Sequence, residues 1–401
     1  MSYVTITSTA ELEDLCDEAR AAGRVGIDTE FLWERTYAPH LCLVQINAAG
    51  TVAVADPLAG IDLSPVADLL DEPEVQVIMH APHADLVAFA LHYSAHPTNV
   101  FDTQISAGFV GLSAGLAYER LVNETIGVQV QSSESFTDWS KRPLAATQLV
   151  YAAEDVEHLF DVADEIQGRL EKLGRTEWAR EEMRRRFERP ERLVTHPDAA
   201  YRRVARRGKL RGRELGVLQA VAAWREQTAR SRDLPTSWVM KDASLIEIAR
   251  RKPSDAKALS RIRGVDGSVR RHEMDELIAA VTAGLTNEIE SEESQQPARA
   301  VRRRITAAKG LATSLMRTRC ENADLASELV GTSSDLEEFI SFVAEGGDAS
   351  RSGSDDSDLP LLLRGWRAEL VGNELVDLLE GRIMLQLTAG APYIEIHPQG
   401  S

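Results

Sequence analysis

The sequence predicts a mixed α/β domain followed by two all-helical units, and three observations predict it. Apolar runs at 24–31, 41–46 and 51–55 lie too close together to be joined by helices, which favours antiparallel strands. From 64 to about 170, short apolar runs alternate with helical ones. Beyond 170 the apolar residues take helical spacing, as at Leu215, Leu218, Val221, Ala222 and Trp224.

The elements follow in order. Residues 11–22 form an amphipathic pattern, and Asp56-Pro57 closes the third strand. A short helix at 64–70, a strand at 75–79 and a helix opening at 80–85 come next. A strand at 100–102 leads into helices at 103–109 and 115–126. A polar loop spans 129–141. Pro143 then opens one helix that runs through Tyr151 and Asp155 to about Leu173. Residues 171–212 are Arg-rich, with breaks at Pro190 and Pro197. A helical unit of about 80 residues follows, then an acidic linker at 287–297. A second helical unit runs from 302 to 382 around a polar loop at 345–359, and the tail at 389–401 has no assigned role. The expected domains are 1–172, a basic helical linker at 173–210, then 211–290 and 300–390.

A chain of 401 residues with 43% hydrophobic content can bury cores in two or three domains. No apolar run is long enough to span a membrane, and the N-terminus lacks the pattern of a signal peptide. Cys16, Cys42 and Cys320 are scattered, which suggests neither a zinc site nor a disulfide framework. A cytoplasmic monomer is the expectation. The net charge of −18 is unevenly spread: residues 1–170 carry −19, residues 171–270 carry +12, and residues 271–401 carry −11. A polyanion partner needs a local basic face, not a positive total. Arg202, Arg203, Arg206, Arg207, Lys209, Arg211 and Arg213 are the densest basic run, readable as a phosphate-backbone contact or as a solvated face.

The first strand ends in Asp28-Thr29-Glu30. Residues i and i+2 of a strand share a face, so two carboxylates stand side by side there, while Thr29 faces the other way. They are either surface acids at a strand end or ligands for a divalent cation. Asp85 follows a strand, and Tyr151 and Asp155 share a helical face four residues apart. Four converging carboxylates would suit two hard cations, Mg²⁺ or Mn²⁺. Phe31 beside the pair could stack on a base, at roughly 1–3 kcal/mol; Trp33 could do the same or pack in the core. Asp102 is read as a helix cap, and Gln45 as a satisfied mid-strand residue.

These residues sit in longer motifs: IDTEF with ERTY and LCLVQI, H-x4-DL, FDTQISAGFVG, and DWSKRPL with QLVYAAEDV. In that order they resemble the ribonuclease D family of DEDD exonucleases, in the branch marked by Tyr-x3-Asp. The region 215–265 resembles the helicase-and-RNase-D C-terminal (HRDC) domain, and 361–372 is similar to the end of a second, divergent HRDC-like unit. The resemblance implies an α/β RNase H-like exonuclease domain followed by two all-α HRDC-type domains. It implies that Asp28, Glu30, Asp85 and Asp155 hold two divalent cations and that Tyr151 orients the attacking water. It also implies release of nucleoside 5′-monophosphates from RNA 3′ ends, with structured RNA such as tRNA precursors as the substrate class. In the loop 131–136, relatives commonly place a Lys and an Arg where this chain has neither. The rivals are a non-catalytic nucleic-acid-binding HRDC protein and a 3′–5′ exonuclease acting on DNA.

Overall fold

The computed structural model describes residues 2–130, 137–188, 193–208, 210–265, 269–287, 289, 299–354, 358–390 and 393–399. A six-stranded sheet organises the N-terminal part. Its strands are β1 (Val4–Ile6), β2 (Arg24–Leu32), β3 (His40–Ala48), β4 (Thr51–Ala55), β5 (Gln76–Met79) and β6 (Val100–Asp102). The spatial order is β1-β4-β3-β2-β5-β6. As the short connections require, β2, β3 and β4 pair antiparallel. The two joins that carry helices, β2 to β5 and β5 to β6, are parallel. Strand β1, only three residues and mostly exposed, gave no periodic signal; it pairs parallel with β4.

Helices α1 (Thr9–Ala22), α2 (Ser64–Asp71), α3 (His83–Tyr93), α4 (Thr103–Gly108) and α5 (Tyr118–Ile126) surround the sheet. The long helix expected from Pro143 is instead two: α6 (Ala146–Glu157) and α7 (Leu159–Leu173). The break falls at His158, whose backbone leaves the helical region at φ −101° and ψ 4°. There the Asn47 amide of β3 donates to the carbonyls of Val156 at 3.0 Å and Glu157 at 3.4 Å. A side chain from the sheet thus takes up carbonyls freed by the break. The approach is close: a Cβ on Gly26 would lie 3.3 Å from both Asn47 Cβ and Leu159 Cδ1.

The other end of α6 is fixed as well. The Gln148 side chain accepts from the Ala145 amide at 2.9 Å. Just upstream, Arg142 makes a bidentate pair with Asp56 at the end of β4, both contacts at 2.6 Å. Trp139 is buried against β3 and β4.

The stretch expected as a basic linker is not all linker. Helix α8 (Thr176–Phe187) buries Ala179, Met183 and Phe187. They join one continuous core with the sheet domain and the C-terminal helices, including Leu315, Phe339 and Trp366. Trp178 stacks on Trp366 at 5.5 Å, and Phe109 meets Trp366 edge-on at 5.1 Å. Arg175 donates to the Phe109 carbonyl at 2.8 Å and to that of Ala323. Glu182 is fully buried and binds Arg367 at 2.7 Å, with Arg185 and Arg186 on its other side. Periodicity could not reveal this docking, because a helix with one buried stripe reads alike whichever domain covers it. Near the C-terminus, β7 (Ile383–Leu387) and β8 (Ile394–Pro398) pair antiparallel.

Residues 213–286 form a separate helical unit with its own core. Its helices Arg213–Arg232 and Arg271–Thr286 touch backbone to backbone: a Cβ on Gly284 would fall 2.5 Å from Val217 Cα. Arg225, 1% exposed, ties the next helix down through the Met240 carbonyl and Asp242. The unit meets the sheet domain at the β2–β3 loop. There the Tyr37 hydroxyl donates to Glu226 at 2.8 Å, and the Tyr37 amide to Asp233 at 3.0 Å.

The buried Glu182–Arg367 pair yields a direct expectation. Glu182→Ala leaves the Arg367 charge buried without its carboxylate, which costs about 3–5 kcal/mol. Urea unfolding should show that loss; a change below about 1 kcal/mol would mean the pair does not fasten the C-terminal helices.

Candidate active site

Strand β2 lies between β3 and β5, and its end, which carries Asp28 and Glu30, runs past the β5 pairing and is held by β3 alone. Asp28 and Glu30 leave it on one face, and Asp155 comes down from α6. Ligand oxygens of these three carboxylates all lie within 4.8 Å of one another. Each is only half-buried. The register of β2 against β3 shifts between Glu30 and Phe31, a bulge that bends the strand as it leaves the site.

The fourth predicted carboxylate stands aside from that trio. Asp85, in the first turn of α3, is buried and accepts a short hydrogen bond from the Thr29 hydroxyl. Thr29 was expected to be plain strand facing away. It is buried and bonded to Asp85, a function that strand alternation alone gives no means to foresee. Tyr151 does reach the cluster: its side chain hydrogen-bonds Asp155. Its ring packs 6.2 Å from that of Trp139.

Among the described residues, no basic side chain is paired with any of the four acids, and their proton affinities record it. Burial, then the charges of Asp155, Asp85 and Glu30, lifts Asp28 well above the ordinary carboxylate range. Burial, then Asp155 and Asp85, lifts Glu30 to about 9. Burial lifts Asp155 to about 7 against the opposing Tyr151 bond, and Asp85 to about 6 against the opposing Thr29 bond. A set of hard oxygen donors that repel one another and lack a cationic side chain fits a divalent cation.

The neighbours divide cleanly. Phe31 stands edge-on to Trp33 at 6.5 Å, and Trp33 is 42% exposed with its indole nitrogen on the Tyr37 carbonyl. His80 is structural, with ring nitrogens on Thr103 Oγ1 at 2.9 Å and the Leu116 carbonyl at 3.1 Å. Asp102 caps α4 and also accepts from the Ala81 amide. Tyr118 went unnoticed in the sequence. It is buried against His80, and burial, then Asp155 and Asp28, raises its hydroxyl well above the usual range. Gln45, expected to be satisfied, is buried with neither amide atom bonded.

Of the predicted basic run, Arg202, Arg203, Arg211 and Arg213 are exposed, Arg206 and Arg207 lie in the helix Tyr201–Gly208, and Lys209 lies outside the described residues, as does the loop 131–136. A second basic surface was missed. A cavity of about 880 Å³ in the 213–286 unit is lined by Trp238, Lys241, Arg251, Arg261 and Arg263. Trp238 is 56% exposed. Arg251 pairs with Glu247, whereas Lys241, Arg261 and Arg263 have no carboxylate partner among the described residues. Its residues run from Ser237 to Gly264 in sequence and converge only in the fold.

The two units match known families. A family described as 3′-5′ exonuclease matches residues 3–171, and the HRDC domain family matches 214–281. The molecule is thus a 3′–5′ exonuclease carrying an HRDC domain, of a class that depends on divalent metal. Ribonuclease D of Gluconacetobacter diazotrophicus is 37% identical over 384 residues, covering 95% of this chain and 94% of that protein. Ribonuclease D of Acidiphilium cryptum is 35% identical, with the same coverage. The crystal structure of Escherichia coli RNase D, an exoribonuclease involved in structured RNA processing, superposes with a TM-score of 0.80 at 30% identity, covering 95% of this chain and 99% of that one. This chain belongs to the ribonuclease D family.

The raised carboxyls dictate a pH dependence. Each binds its proton more tightly folded than unfolded. Its contribution to metal-free stability is therefore present below the ordinary carboxylate range and lost as pH rises through the folded value, up to about 9 for Glu30. In EDTA, the melting temperature should fall between about pH 5 and about pH 9, and Asp28→Asn should flatten that slope. Mg²⁺ should raise it more at the alkaline end, where fewer protons compete. A steeper fall in the variant, or equal Mg²⁺ effects at both ends, would contradict the assignment.

Proposed function

We propose that this 3′–5′ exoribonuclease holds two divalent cations, Mg²⁺ or Mn²⁺, between Asp28, Glu30, Asp85 and Asp155 and trims RNA from its 3′ end. The observation that carries the reading is the cluster of Asp28, Glu30 and Asp155, with oxygens within 4.8 Å and no basic partner. When bound, the cations supply charge stabilisation to the attacking and leaving oxygens of phosphodiester hydrolysis.

The chain's own residues do the rest. Asp28 and Glu30, held by the pairing of β2 with β3, set one wall of the site. Asp155 sets the opposite wall, its height fixed by Asn47 below α6. Asp85, held at Oδ1 by the Thr29 hydroxyl, completes the set. Tyr151 holds the attacking water at its hydroxyl oxygen, and Asp155 orients that hydroxyl. Phe31 offers a ring to the terminal base. The products are nucleoside 5′-monophosphates.

Structured RNA, such as a tRNA precursor, is the substrate class this reading supports, as for the Escherichia coli relative. The exposed arginines of 202–213 and the Trp238 surface give the body of the RNA two basic contacts, one able to stack a base. Residues 300–390 serve as a second HRDC-like unit, braced on the exonuclease domain. The three free, buried thiols suit a reducing compartment, and the protein acts as a cytoplasmic monomer. No helix among the described residues is long and apolar enough to cross a membrane.

The test is 5′-labelled RNA with a single-stranded 3′ tail. In Mg²⁺ or Mn²⁺ the wild type should give a ladder shortening from the 3′ end, and in EDTA none. Asp28→Asn should lower kcat by at least roughly 100-fold, and Tyr151→Phe by a factor of similar order. A shifted but uncut band in every lane would favour a pure binder. Trp238→Ala should weaken binding of structured RNA by about 1–3 kcal/mol while leaving cleavage of a short single strand unchanged. Filter binding across a salt series measures the first effect, and equal affinity would remove Trp238 from the interface.

A further inference from the structure

Gln45 sits in the middle of β3, with no exposed surface and with neither its Oε1 nor its Nε2 bonded within the protein. An amide buried without partners is destabilising relative to one that is paired, so its place calls for a reason. The sheet register supplies one. Gln45 lies directly opposite Asp28 on one side and Val54 on the other. Directly opposed residues of antiparallel strands project from the same face, with Cβ atoms about 4.5–5.5 Å apart. Val54 offers nothing to an amide. Asn47, two residues along the same face, already holds the carbonyls of α6. Asp28 offers two acceptor oxygens, and no side chain among the described residues donates to either.

We infer that Gln45 is a positioning residue for the metal centre: its Nε2–H donates to the Asp28 carboxylate oxygen turned away from the cations and fixes the ligand's orientation. This rests on the reading of Asp28 as a metal ligand. The bond is not made in the structure described, yet register puts the two residues on one face of adjacent strands, and a carboxylate is a stronger acceptor than a neutral group. Residues that orient metal ligands in this way typically change metal affinity by 10–100-fold when removed.

The test separates positioning from packing. Gln45→Met keeps the length of the side chain and removes the donor. It should melt at or above the wild-type temperature, because an unpaired buried amide has been replaced by an apolar group of similar shape. Its Mn²⁺ affinity by calorimetry should fall about 10–100-fold. The Mn²⁺ concentration for half-maximal activity should rise by the same factor, with KM for RNA unchanged. Unaltered Mn²⁺ affinity in a folded Gln45→Met overturns the inference.

A second measurement needs no variant at Gln45. In wild-type protein labelled with ¹⁵N-glutamine, the Gln45 side-chain amide resonance should move downfield on adding Mg²⁺ and stay still in Asp28→Asn. No movement in the wild type overturns the inference even if Gln45→Met does not fold. Failure of the underlying reading looks different: Asp28→Asn would itself keep wild-type Mn²⁺ affinity.

Discussion

The structure depends on a repulsion that it does not relieve. Asp28, Glu30 and Asp155 crowd together with Asp85 close behind, and no arginine or lysine among the described residues answers them. Left in water these side chains would separate. Here they are mounted on elements that cannot move apart: a central strand, and a helix tied to the neighbouring strand at one end by Asn47 and reached at the other through Arg142 and Asp56. The protein spends part of its folding stability on holding charge in place, as sites built for a cation commonly do. Burial raises all four carboxyls, and the neighbouring site acids add to it at Asp28 and Glu30.

The rest of the chain braces this arrangement or extends its reach. The C-terminal helices share a core with the sheet domain through Trp178, Trp366 and the buried Glu182–Arg367 pair, so they act as part of the catalytic body. The 213–286 unit keeps its own core and contacts the β2–β3 loop through Tyr37, beyond the strand that carries Phe31 and Trp33. A unit anchored there can offer a basic surface to RNA entering from the direction of those aromatics. That surface is built from Trp238 and cations contributed by separate turns and helices.

Much of this was legible in the sequence, for physical reasons that can be named. Short connections between apolar runs forced the antiparallel pairing of β2, β3 and β4, and the i, i+2 alternation placed Asp28 with Glu30. The Tyr151–Asp155 spacing placed both on one helical face, and their contact follows from it. What could not be read were interactions between elements distant in sequence. The break at His158 is tied to Asn47, more than a hundred residues earlier. Thr29 meets Asp85, 56 residues on, a partner that strand alternation cannot name. The empty bonding of Gln45 is invisible until its register with Asp28 and Val54 is known. Residues 173–210 read as a linker because charge dominates their composition, and only the fold shows that α8 hides Ala179, Met183 and Phe187.

The proposed two-cation site turns on Asp85, whose Oδ1 accepts from the Thr29 hydroxyl and which stands apart from the trio of Asp28, Glu30 and Asp155. Anomalous diffraction from crystals soaked in Mn²⁺ with a nucleoside 5′-monophosphate tests that directly. The account predicts two peaks about 3.5–4 Å apart among Asp28, Glu30, Asp85 and Asp155, with an Asp85 carboxylate oxygen on one of them. A single peak, or none, with Asp85 on neither would contradict it.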